Sequence, residues 1–157
     1  MKFVLYTPLM LYLLLVTNSY SLNGISLDKD PVYRKVIKRR LTYPPLRYED
    51  KVALMVYARF SIDERGHVQN VKIIKHPTQE LYHKLYDAVV ESTLKRLPPL
   101  NPNYVGHYIL PVAFCVRNYD NGELLMPNDV DYYGKHVNSV LLQKVEVIGY
   151  KRYVAQN

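Results

Sequence analysis

The chain has 157 residues, a length that favours one domain and excludes a large two-lobed enzyme. It carries 21 Lys and Arg against 14 Asp and Glu, a net charge of +7, and its 48% hydrophobic content is that of a folding chain, not a disordered one. A single cysteine, Cys115, excludes an internal disulfide framework and a zinc site of several thiolates, while 16 Tyr, 3 Phe and no Trp put a hydroxyl on nearly all the aromatic mass.

The N-terminus reads as an address. Lys2 is followed by fourteen uncharged residues, Phe3 to Val16, and then by polar Thr17-Asn18-Ser19. Ser19-Tyr20-Ser21 places small residues where a signal peptidase reads, so residues 1–21 are expected to be a secretory signal. The alternative is an uncleaved membrane anchor, for which the run is short. Cleavage would leave 136 residues with a charge of +6. Outside the cytoplasm nucleic acid is not the expected partner. An anionic envelope surface, an acidic protein segment or plain solubility accounts for the charge. Membrane contact is expected only if the N-terminal segment stays uncleaved.

Residues 22–42 read as a basic, solvated lead-in, helical from Val32 to Leu41, with Arg34, Lys35, Lys38, Arg39 and Arg40 close together. The same cations are able to meet phosphates or lipid head groups. Tyr43-Pro44-Pro45 breaks that helix. Val52, Leu54, Val56, Ala58, Phe60 and Ile62 then keep period two, which predicts a strand with one apolar face. Asp63 to Gly66 predicts a turn with Gly at a positive φ. His67 to Lys75 predicts a second strand, whose apolar phase slips between Val68 and Val71 and so suggests a bulge. The two strands form an antiparallel hairpin.

A helix is expected near 79–96, with Thr78 as N-cap, Glu80 in its first turn, Leu81, Leu85, Ala88 and Val89 on one stripe, and Pro98-Pro99 as its end. His107 to Arg117 alternates again and predicts a third strand. Pro111 inside it argues for an edge strand or a bulge, because proline cannot donate to a ladder. The expected fold is therefore α+β: a small antiparallel sheet in the order β-β-α-β with one helix on a face. Residues 118–157 form an extension of undetermined shape, in which Leu141 to Tyr150 fits a fourth strand or an amphipathic helix equally.

Catalytic signatures are weak. His83 and Asp87 lie i, i+4 on the expected helix, with no second His at helical spacing. Cys115 paired with His107 is a nucleophile–base candidate in principle, and a lone strand cysteine is usually core. Ser61 lies in no nucleophile elbow. The chain reads as a non-enzyme without catalytic, cofactor or metal residues. A small secreted hydrolase using these His, Asp or Cys side chains is the weakest alternative. The tyrosines Tyr57 and Tyr108 read as amphipathic cover for the sheet; those of the tail, Tyr132, Tyr133, Tyr150 and Tyr153, fit either cover or an interface.

The ordered set Tyr43-Pro44, a strand ending Phe60-Ser61-Ile62-Asp63, Gly66-His67-Val68, Val71-Lys72-Ile73, the helix, Pro98-Pro99 and Pro111-Val112-Ala113-Phe114 resembles the C-terminal domain of the TonB family over residues 43–117. The resemblance implies a periplasmic domain of a Gram-negative cell that contacts outer-membrane transporters. There an extended segment of the partner pairs with an exposed strand. The matching edge here would be His107, Tyr108, Ile109, Leu110, Val112, Ala113, Phe114 and Arg117, which would also permit a homodimer by edge pairing. The chain departs from the family in two respects. Only residues 22–42 separate the apolar run from Tyr43, a span of about 75 Å at most, so the long Pro-rich spacer of an energy transducer is absent. Lys51 stands where many members have Gly. A stand-alone envelope adaptor without energy coupling is the alternative reading.

Overall fold

The computed structural model describes residues 26–74, 83–128 and 138–151, so the apolar run Phe3 to Val16, the expected N-cap Thr78 and Tyr132, Tyr133 and Tyr153 lie outside the described residues. A 3-10 turn at Leu27–Lys29 leads into helix α1, Pro31–Arg40. The Asp30 side chain accepts a hydrogen bond from the Tyr33 amide at 2.7 Å and Pro31 sits at the first helical position, a start in which both residues suit the unpaired amides of a helix N-terminus. Lys38, Arg39 and Arg40 occupy the last turn, where cations meet the negative end of the helix dipole. This segment is more than a lead-in. Leu27, Tyr33, Ile37 and Leu41 are buried and belong to the hydrophobic core, so the core begins well before residue 43.

Strands β1, Leu54–Ile62, and β2, Val68–Ile74, form the expected antiparallel hairpin. Gly66 has φ +80, and its amide donates to the Asp63 carbonyl. A Cβ there would fall 1.9 Å from the Leu100 carbonyl oxygen, so the turn needs glycine for space as well as for conformation. The expected slip in β2 is a bulge: the register shifts between Arg59 and Ser61, and Asn70 opposite takes φ 54. Helix α2 runs His83–Lys95 within the described residues and buries Tyr86, Val90, Thr93 and Leu94.

Strand β3, Gly106–Asn118, pairs antiparallel with β1 from Leu54↔Phe114 to Ile62↔Gly106. Three further strands follow: β4, Leu124–Leu125; β5, Val140–Leu141; and β6, Val145–Lys151. Strand β4 is antiparallel to β3 at Val116 and Arg117, whereas β5 and β6 run parallel to it, so the six-stranded sheet is mixed. Leu141 to Tyr150 is thus the end of β5, a short break at 142–144 and most of β6, not a helix.

The expectation that His107–Arg117 is an edge fails. Strand β3 is paired on one side with β1 and on the other with β5 and β6. Pro111 is tolerated because the outer strand breaks opposite it. The pairing Ile109↔Leu141 gives way to Val112↔Val145, so one extra residue of the outer strand is accommodated at 142–144. The Ile109 carbonyl accepts from the Leu142 amide, which puts the backbone groups of the odd-numbered β3 residues on that side. The missing N–H of Pro111 therefore points at the interruption, where no regular ladder bond is due.

One face of the sheet carries Val56, Phe60, Leu110, Val112 and Phe114 under α1 and α2. On the other face Tyr57, Ile109, Ala113 and Cys115 are buried as well. Among the described residues the architecture is a small α+β fold with two α-helices against a six-stranded sheet.

Candidate functional site

The partner-binding residues expected on β3 do not form a surface. Tyr108, Ile109, Leu110, Val112, Ala113 and Phe114 are all buried; His107 is exposed and Arg117 half-buried. Their backbone groups are already used on both sides. Tyr108 donates its hydroxyl to the Tyr104 carbonyl at 2.8 Å, which satisfies a buried phenol within the core.

The exposed edge lies one strand further out. The Lys151 carbonyl accepts from the Tyr119 amide, just beyond β3, while the Tyr150 carbonyl accepts from Lys51 Nζ at 2.9 Å. Alternation along β6 then turns the backbone of Val145, Val147, Gly149 and Lys151 toward β3 and that of Glu146, Ile148 and Tyr150 away. Among the described residues no strand pairs with this outer side. Lys51 takes the last of its carbonyls. Its ammonium also lies over the rings of Tyr48 at 4.6 Å and Tyr43 at 5.6 Å. With the Tyr150 carbonyl occupied from outside the sheet, the open part of β6 is Glu146 to Ile148.

A tyrosine cluster holds β6 in place. The Tyr43 hydroxyl donates to the Val52 carbonyl at 2.7 Å and lies 2.8 Å from that of Tyr86. The rings of Tyr43, Tyr86 and Phe114 meet edge to face at 4.8–5.8 Å. Burial pushes both phenols above the ordinary tyrosine value, so they remain neutral hydrogen-bonding groups. Tyr43 lies directly on Gly149, where a Cβ would stand 2.6 Å from ring carbon Cδ2. The Tyr-Pro motif thus ties the segment before β1, helix α2 and strand β6 into one unit.

Beside this edge, α1 and the start of β6 enclose a groove of about 500 Å³. Ile37, Leu41, Val145 and Val147 supply its apolar part. Arg34, Lys35 and Lys38 give its helix side positive charge, and Asp28, Lys144 and Glu146 also line it. Asp28 is engaged, accepting from the Gln143 amide at 3.0 Å. Tyr33 also lines the groove and is only 3% exposed, yet its hydroxyl has no hydrogen-bond partner among the described residues. Burial, and secondarily the charge of Asp28, raises its pKa and keeps it protonated. The sequence signal for this groove was present in Tyr33, Ile37 and Leu41, which recur every four residues, but the intervening cations made the segment look solvated.

The catalytic candidates are not brought together. His107 and Cys115 are eight residues apart on one strand, about 26 Å. Cys115 is fully buried, and burial, reinforced by the charge of Glu146, pushes its thiol up, away from a reactive thiolate. His83 and Asp87 share helix α2 as expected. Ser61 is occupied in the hairpin, donating to the Gln69 carbonyl and accepting from Asn70 Nδ2. Among the described residues no group of three His, Cys, Asp or Glu side chains is placed to hold a metal. Nor is any described helix long and apolar enough to cross a membrane.

Fold and site together define a small α+β domain that offers an open strand edge beside a basic groove. Searches of protein-family models, curated proteins and solved structures find no match to the chain.

Proposed function

We propose that the chain is a non-catalytic interaction domain of the cell envelope, which binds an extended segment of another envelope protein by strand addition, and that the receiving edge is β6. The observation that carries this reading is the outward-turned backbone of Glu146 and Ile148, two residues that present four main-chain hydrogen-bonding groups in a row. The other outer strand, β2, is less suited. Its bulge at Asn70 twists the edge, and Gln69, Asn70 and Lys72 make it polar. The envelope location is supported by Lys2 and the apolar run Phe3 to Val16. The absence of catalysis is supported by the separation of His107 from a buried, protonated Cys115.

One observation favours the second reading, an adaptor that does not engage transporters or couple energy. The β3 edge, which the family resemblance assigns to the partner, is filled by the chain's own β6.

The test is capture from periplasmic extract of a Gram-negative cell by the full chain and by an Ile148→Pro variant. The Ile148 amide faces outward, so proline removes an edge donor without breaking the β3 ladder. The expected result is an envelope protein retained by the parent chain and lost by a variant that melts at the same temperature. Equal retention by both would remove β6 as the receiving edge.

A further inference from the structure

We infer that the segment received by β6 is acidic, and that alternate side chains of it enter the groove between α1 and β6 and pair with Arg34 and Lys38. The inference rests on strand addition at β6 and specifies what is added. A strand laid along Glu146 to Ile148 sends every second side chain to the helix-covered face of the sheet, which is where the groove lies. Alternate strand residues are about 6.8 Å apart. Arg34 and Lys38 are one helical turn apart, about 6 Å along the axis. Two acidic residues at i and i+2 therefore match two cations at i and i+4.

The charges favour this occupant. Arg34, Lys35 and Lys38 are exposed, and none has a carboxylate partner among the described residues. Of the two groove carboxylates, Asp28 already accepts from the Gln143 amide. A basic segment would face Arg34, Lys35 and Lys38 along the helix side, where an acidic one meets attraction. The hydroxyl of Tyr33 supplies a further observation. A buried donor without a partner is costly and uncommon in a native protein. A carboxylate or carbonyl oxygen of the incoming segment completes it. The floor of Ile37, Leu41, Val145 and Val147 takes the aliphatic part of the same side chains.

The experiment uses the full chain and three fluorescent eight-residue peptides, alternating valine with glutamate, threonine or lysine, read by anisotropy. The glutamate peptide is expected to bind about 10-fold more tightly than the threonine one, the gain of two exposed ion pairs. The difference should disappear in an Arg34→Glu/Lys38→Glu variant and shrink at high salt. Tyr33→Phe should weaken the glutamate peptide while leaving the protein at least as stable, since it deletes an unpaired buried hydroxyl. Equal affinity for the glutamate and threonine peptides, both abolished by Ile148→Pro, would overturn the acidic preference and leave strand addition standing. No binding of any peptide would overturn both. A parallel arm offers phosphatidylglycerol vesicles. Vesicle binding that depends on Arg34 and Lys38, persists in Ile148→Pro and comes without glutamate-peptide binding would replace the acidic segment by a lipid surface.

Discussion

A Cβ on Gly149 would stand 2.6 Å from Cδ2 of Tyr43, and ring carbons Cε2 and Cγ lie within 2.7 Å of the same point. The ring has little freedom to yield. It is held by its hydroxyl at Val52 and Tyr86 and packs edge to face on Tyr86 and Phe114. Gly149→Ala should therefore cost about 1–3 kcal/mol as an overpacked site, read as a lower urea midpoint with an unchanged slope. A midpoint within error of the parent would mean that Tyr43 does not hold β6. Asp63 works at the same scale, in the hairpin turn. Its carboxylate accepts from the His67 amide at 2.8 Å and from the Arg65 amide at 2.9 Å, and these bonds lower its pKa below 3.8. A carboxyl whose folded pKa is depressed adds stability above its unfolded value and loses it as pH falls through the lowered folded value. Asp63→Asn should thus separate from the parent most above pH 3.8, with the two stability curves converging in stronger acid. Parallel curves down to full protonation would contradict that role. The carboxylate is exposed, so a small difference is expected.

At the scale of elements, β6 decides what β3 can do. A chain ending at Lys144 would lose the packing of Val145 and Val147 and bare the β3 edge from Val112 to Asn118. Such a chain should associate as its concentration rises, measured by light scattering, because an uncovered strand next to an apolar core recruits another. A truncated chain that stays folded and monomeric would show that β6 is not what seals this edge. The hairpin, its bulge and the helix are legible in sequence, because each has one buried face and so keeps a local period. The position of β3 is not legible. Pro111 marks an edge or an interruption, and which of the two depends on a strand more than thirty residues later in the chain. That strand hides itself too. Its inward positions Leu142, Val145, Val147 and Gly149 are spaced three, two and two, so the break at 142–144 mixes a helix-like interval into a strand. Helix α1 is legible as a helix over Val32 to Leu41, but its place in the core is not, for a different reason. Its buried stripe is only Tyr33, Ile37 and Leu41, and cations fill the remaining faces.

Over the whole molecule, one core runs from Leu27 to Val147, so the β-β-α-β segment 43–117 is completed from both ends. The N-terminal addition supplies α1 and its cations, and the C-terminal addition supplies β5 and β6. The groove exists only where these two additions face each other, which is why no motif within 43–117 announces it. The order of the strands has a consequence in time. Val145 follows its partner Val112 by 33 residues, so in a chain that emerges N-terminus first, from the ribosome or across a membrane, β3 appears with a delay before the strand that covers it. Throughout that delay the central strand of the finished sheet is a nascent, half-paired strand. The final neighbour of β3 is the last strand to arrive, so the protein passes through a dependable interval in which a holding chaperone, or a neighbouring nascent chain, competes with its own β6 for the same line of hydrogen bonds.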